Sequence, residues 1–359
     1  MLNVIDRPRR NKGAEARGRH GFLPDTELQT MTSQLGLVQP ASLELPVGDQ
    51  FAIIPASQTP WRNETVREML RNIGARVSQV PDEGLLLAPG TIALVKADLV
   101  LVPPTDPLGD RGFRLQVGQR ALASPKSSIG RIDLFCRVIT DRDPRYDEIG
   151  PAEDCAREIW IEIAPLSFPV VISRGDKLTQ LRIIEGSIAP KERKRCSLGL
   201  EPRTKGSPVG YRAKRCHDPI RLNAAPGSLD PASYFEAVHA TNGRIIMHPG
   251  DFYILKSAES ITVSENECAQ MSATDETIIN ATVHKAGFAD PGFGVGSICA
   301  IVLEVCVRDL PISAEHGMPI ARLDFFPMAS TPRSLYGSAI GSNYQGQDLR
   351  LSKYFRQDT

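Results

Sequence analysis

A chain of 359 residues is longer than one ordinary domain and fits two, so two hydrophobic cores are expected. Its 42 basic and 42 acidic side chains cancel, which argues against a protein whose main task is coating nucleic acid or an acidic membrane; any anion site must be local. The seven cysteines (Cys136, Cys155, Cys196, Cys216, Cys268, Cys299 and Cys306) are odd in number, scattered and without a Cys-x-x-Cys pair, the usage of reduced thiols in a cytoplasmic protein.

Residues 1–20 hold six Lys/Arg and two acids but no apolar core, so they read as a solvated basic tail rather than a signal peptide. No apolar run approaches the roughly 18 residues of a membrane span. Glycine (29), proline (28) and short β-branched runs dominate, and helical periodicity is confined to residues 25–35 and 63–73; the chain is mainly β. Gln39-Pro40-Ala41-Ser42-Leu43-Glu44-Leu45 starts a strand, and Pro89-Gly90 within LLLAPGTIAL (85–94) predicts a hairpin. Residues 185–223 carry ten Lys/Arg against four acids and read as a solvated linker. A nucleic-acid patch there lacks the aromatic residues that bases stack on, although Lys214 or Arg215 could reach a phosphate.

The order of features then returns. Asp230-Pro231-Ala232-Ser233 answers Gln39-Pro40-Ala41-Ser42, and Met247-His248-Pro249-Gly250 answers Leu87-Ala88-Pro89-Gly90. Glu162 precedes the Gly175-Asp176-Lys177-Leu178 turn by thirteen positions, as Glu304 precedes Gly317-Met318-Pro319-Ile320. Ordered landmarks of this kind indicate a tandem duplication, with repeat 1 over 21–205 and repeat 2 over 206–359.

Two stretches carry chemistry. Residues 124–131 (SPKSSIGR) set hydroxyls between cations in a turn; this suits an oligophosphate, with a helix-capping serine as the structural alternative. Residues 284–304 join glycine-rich turns, where backbone can approach a flat ring, to an apolar strand containing Glu304. A lone carboxylate in such a strand is either ion-paired structure or a general acid/base with a raised pKa. The copies differ in a complementary way. Repeat 2 has Asp275 and Glu276, with no cation, at its serine turn, and repeat 1 has the charged 140–145 where repeat 2 has AGFADPG.

KSSIGR (126–131), AGFADPGFG (286–294) and VLE (302–304) resemble the dCTP deaminase branch of the dCTP deaminase/dUTPase superfamily, and the doubled length resembles its tandem-repeat members. The resemblance implies two tandem distorted jelly-roll-like (dUTPase-like) β domains, assembled as a homo-oligomer with trimer-like packing. It implies hydrolysis of dCTP to dUTP and ammonia in pyrimidine deoxynucleotide supply toward dUMP and dTTP, with Mg²⁺ accompanying the triphosphate, no zinc and dTTP a candidate inhibitor. Ser127 and Arg131 fall on residues that hold the catalytic water and a nearby phosphate, and Glu304 falls on the proton-shuttling glutamate. Lys126, Ser128, Ala286, Gly287, Asp290, Val302, Tyr336, Asn343 and Gln347 fall on substrate contacts, Asn343 standing where a lysine is usual. The expected chemistry is attack of water on C4 of cytosine, Glu304 passing the proton toward N3 and the leaving ammonia. The zinc-dependent route to base deamination needs His-x-Glu and Pro-Cys-x-x-Cys, neither of which is present, so His248 and His284 read as structural. A dUTP-hydrolysing or dUMP-forming enzyme and a non-catalytic nucleotide-binding regulator are the rival functions. Residues 336–353 read as a mobile closing lid.

Overall fold

The computed structural model describes residues 20–61, 63–273, 279–284, 287–337 and 344–357. The 13-residue strand Ser42–Ile54 organises the first half. Its first part pairs with Lys177–Glu185, a register shift between Val47 and Phe51 bends it, and its second part pairs with Ile92–Leu101. A bend of this kind turns one sheet toward a barrel. The strand order is Glu148–Ile149, Gln119–Pro125, Lys177–Glu185, Ser42–Ile54, Ile92–Leu101, Arg157–Pro165, Leu134–Thr140.

The second half repeats this order in two pieces. Phe288–Ala289, Glu267–Ala273, Pro319–Pro327 and Glu192–Ser197 form one sheet. Phe235–Val238, Gly210–Ala213, Phe252–Ser260, Ala300–Val307 and Ala281–Val283 form the other. The task of Ser42–Ile54 is thus divided between Glu192–Ser197, which pairs with Pro319–Pro327, and Gly210–Ala213, which pairs with Phe252–Ser260. Glu162 pairs with Leu94 and Glu304 with Ile254, so the two carboxylates hold the same place in the two copies.

Several local expectations change. The helix expected over 25–35 stops at Leu28, because the Met31 carbonyl and Thr32 are taken by Arg114 and Phe113 of a neighbouring strand. The second helix, Val66–Asn72, is shorter than its sequence pattern and starts at a capping box in which Thr65 and Glu68 bond each other's backbone N–H. Pro89-Gly90 does not close a hairpin. Ile92–Leu101 already has partners on both edges, so Leu85–Leu87 pairs with Val170–Ile172. Nor is 185–223 an irregular linker: it contains Glu192–Ser197, Gly210–Ala213 and Ile220–Arg221, and its charges decorate an edge strand, where they oppose unwanted pairing.

The halves interlock. Phe168 of the first packs edge-on against Phe235 (5.2 Å between centroids) and Tyr234 (5.6 Å) of the second, and Phe355 lies 5.3 Å from both of those rings. Leu351, Tyr354 and Phe355 are buried in the first core, so 344–357 is an anchored segment rather than the mobile lid that its composition suggests; of the other lid positions, 338–343 lie outside the described residues. Among the described residues no helix is long and apolar enough to cross a membrane.

Candidate active site

Alternation along Ala300–Val307 sends Leu303, Val305 and Val307 into the second core, while Val302 and Glu304 face a cavity between the two halves of the chain. This cavity of about 330 Å³ is lined from the first half by Glu44, Lys126, Ser127, Ser128, Arg131 and Lys177. The second half contributes Gly287, Asp290, Val302, Glu304, Tyr336 and Gln347. All the site residues expected from sequence meet here except Ala286 and Asn343, which lie outside the described residues, as do Asp275 and Glu276. The half-sites come together within one chain.

Residues Ser127–Gly130 form one helical turn whose N-cap is Lys126, without a side-chain cap, so the capping-serine alternative does not hold. Arg131 follows and is 3 % exposed. Its guanidinium donates to the Gln347 side-chain oxygen (2.8 Å) and the Arg350 carbonyl (3.0 Å), and lies 3.8 Å from the centre of the Tyr344 ring. Gln347 is itself fixed by donating to the Ala300 carbonyl (2.9 Å). The tail therefore orients the arginine.

What remains of Arg131 points at Glu304: Nε lies 3.7 Å from Glu304 Oε1, too long for a hydrogen bond. Arg131 Nε and Glu304 Oε2 are both buried with no hydrogen-bond partner among the described residues. Burial pushes the Glu304 carboxyl up to about 7 against the pull of Arg131. Burial without a full set of partners is what favours the protonated form of this carboxyl.

The glycine-rich wall of the cavity is the turn after Phe288–Ala289. Gly294 needs its positive φ of 75°, and a Cβ there would stand 2.1 Å from the Ile261 carbonyl oxygen. A Cβ on Gly287 would stand 2.2 Å from Met271 Cε, so the glycine keeps backbone at the cavity surface. Tyr336 N donates to the Pro291 carbonyl (2.9 Å), holding the tyrosine over the Asp290-Pro291-Gly292 turn. Asp290 Oδ1 has no hydrogen-bond partner among the described residues, and burial raises its carboxyl to about 6 despite Arg182 and Lys126.

Sequence reasoning missed Glu44, Lys177, Tyr344 and Arg182. Glu44, 4 % exposed, joins Lys126 and Lys177 (2.5 Å to the latter). Arg182 is buried beneath the Phe288 ring, 4.4 Å from its centre, and donates to Ser124 Oγ (2.8 Å). The signal in both cases was the one that exposed Glu304: a charge inside an apolar strand. Lys214 and Arg215 line a different cleft, beside Leu166 and Asp251. Among the described residues no three His, Cys, Asp or Glu side chains gather as a metal set.

Two tandem copies of a dUTPase-like β fold share one cavity, lined by a lysine-bearing serine turn and a buried carboxylate. The profile of the 2'-deoxycytidine 5'-triphosphate deaminase (DCD) N-terminal domain matches residues 22–187, and that of its C-terminal domain matches residues 172–355; the chain belongs to this family. It is similar to the crystal structure of 2'-deoxycytidine 5'-triphosphate deaminase from Agrobacterium tumefaciens, with a TM-score of 0.78 and 28% identity over 90% of this chain and 100% of that one. Curated relatives include a "dCTP deaminase, dUMP-forming" from Tropheryma whipplei (strain Twist), 34% identical over 33% of this chain and 63% of its own length. Another of that description, from Beutenbergia cavernae, is 38% identical over 28% and 53%. The chain thus spans a little over half of the length of these curated relatives.

Proposed function

We propose that this chain deaminates dCTP to dUTP and ammonia, as a cytoplasmic step toward dUMP and dTTP, with Glu304 as the acid/base. The observation that supports this most is the pair of unsatisfied atoms, Glu304 Oε2 and Arg131 Nε, facing a cavity whose other end carries lysines. Ionised Glu304 takes a proton from water, whose oxygen bonds to C4, and passes it to N3; it then takes the remaining hydroxyl proton and passes it to the amino nitrogen, and the C4–N bond breaks to release ammonia and leave the C4 carbonyl. Ser127 holds the water. Arg131, each of whose terminal nitrogens donates once to the tail, keeps Glu304 partly ionised at neutral pH and offsets negative charge developing beside it. Gly287, Asp290 and Val302 receive the nucleoside; Lys126, Ser128 and Tyr336 receive the triphosphate, with Mg²⁺ arriving as part of the substrate and no zinc in the reaction.

Incubation with dCTP should release ammonia stoichiometric with dUTP. Binding of dCTP without any product would overturn the reading and leave a nucleotide-binding regulator. A second reading is favoured by the relatives' description as dUMP-forming: deamination followed by cleavage to dUMP and pyrophosphate. Pyrophosphate appearing in step with ammonia would select it.

A further inference from the structure

We propose that Lys177, held in place by Glu44, is a second cation for the polyphosphate end of the nucleotide; this rests on reading the cavity as a nucleoside triphosphate site. Lys177 follows the Gly175 turn, far in sequence from the serine turn, yet its ammonium and that of Lys126 converge on the two oxygens of one carboxylate, Glu44 Oε2 and Oε1. All three residues line the cavity. Glu44 is buried, with its carboxyl held below the usual range by both lysines against desolvation, whereas the Lys177 side chain is 39 % exposed. The carboxylate is therefore a fixture and the lysine the part that an incoming group can meet.

Charge makes the direction of binding definite. Lys353 stands close enough to this cluster that burial, chiefly, and repulsion from Lys126 lower its pKa, while Glu44 and Asp176 oppose the shift. Three lysines thus face two carboxylates, one of which, Asp176, is raised by burial to about 6 and loses negative charge first on acidification. The surplus is positive, and it lies at the Lys126 end of the helical turn whose other end presents Arg131 to Glu304. A ligand with an uncharged ring and a polyanionic tail fits that polarity.

The duplication supplies an internal control. Lys177 lies two residues past the turn glycine Gly175; the residue two past Gly317 in the second copy is Pro319. Glu44 pairs with Gln180, and the matching pair in the second copy is Arg195 with Arg322, so the carboxylate fixture is also missing there. The lysine pair with its shared carboxylate occurs only in the copy that carries KSSIGR.

The test uses the full chain with Lys177→Met, and Lys205→Met as an exposed control outside the cavity. A charge-assisted contact to phosphate is worth roughly 1.5–3 kcal/mol, so the KM for dCTP should rise about 10- to 100-fold with kcat within a few-fold. Inhibition by inorganic triphosphate should weaken by a similar factor, while the calorimetric Kd of dCMP changes less than about twofold. Lys177→Arg should restore most of the loss, and Lys205→Met should behave as wild type. Equal losses for dCMP and dCTP would mean a merely structural lysine, and unchanged triphosphate inhibition would mean no contact; either overturns the proposal. Lys177-dependent triphosphate binding by a protein that releases no ammonia would sink the deaminase reading and leave this one standing.

Discussion

Glu162 and Glu304 began as the same position and now live in opposite circumstances. Glu162 is 1 % exposed but saturated: Ser57 Oγ donates to it (2.7 Å to Oε2), Arg137 Nη2 lies 3.1 Å from Oε1, and Arg137 stacks 3.6 Å from the Tyr146 ring centre. Glu304 is equally buried, but one oxygen has no partner among the described residues and the other faces an arginine just beyond bonding distance. Burial alone therefore does not mark a reactive carboxylate. A buried acid with partners at both oxygens has its desolvation cost offset locally, whereas one left short of partners has it offset only by the rest of the fold.

The comparison is broken most directly at Glu304. Glu304→Gln keeps the shape and removes the proton acceptor, so kcat should fall by roughly 10²- to 10⁴-fold. Stability should move the other way. The folded-state pKa lies above the unfolded value of 4.5, so ionising Glu304 disfavours the fold progressively as pH rises from there through about 7. Thermal denaturation should give the variant the same Tm as wild type near pH 4 and a higher one near pH 8. A variant of unaltered kcat, or one destabilised at high pH, would remove Glu304 from the chemistry.

Next in size is the tail. Phe355→Ala should cost about 3–5 kcal/mol in urea unfolding, because it empties an aromatic cluster that joins the halves. A negligible loss would restore the lid. Smaller again is Gln347→Ala, which frees one arm of Arg131; with the arginine less well held, the Glu304 pKa should rise further. The acid limb of kcat/KM, expected near pH 7 in wild type, should then shift to higher pH with a rate loss of about tenfold at pH 7. An unmoved limb would show that Arg131 holds its place without Gln347. The smallest kinetic effect belongs to Glu162→Gln, with kcat within a few-fold but a lower Tm, since Arg137 and Ser57 lose an ionised acceptor. A large kcat loss with an intact fold would give Glu162 itself a catalytic role.

Much of this fold and site is legible in the amino-acid sequence because the signals are local. A charge inside an apolar strand announces Glu304, and the thirteen-residue spacings announce the duplication. What stays hidden depends on partners far away along the chain. Glu44 lies inside a strand-forming motif, but only the pairing with Lys126 and Lys177 gives it a role. The Pro89-Gly90 hairpin fails because occupancy of a strand's edges is a property of the whole sheet. The tail misleads because its Gly, Ser and Asn content speaks of flexibility, while the few residues that anchor it, Leu351, Tyr354 and Phe355, carry little weight in an average.

Arg131 and Gln347, hydrogen-bonded in the folded protein, are 216 positions apart along the chain. On a ribosome adding about 5–20 residues per second, the arginine waits at least ten seconds or so for the glutamine that orients it. The first half can form its sheets in that interval, yet Arg131 has no oriented partner and the surface that Phe355 will cover stands open. A nascent chain stalled before residue 344 would hold Arg131 without either of the tail groups that orient it.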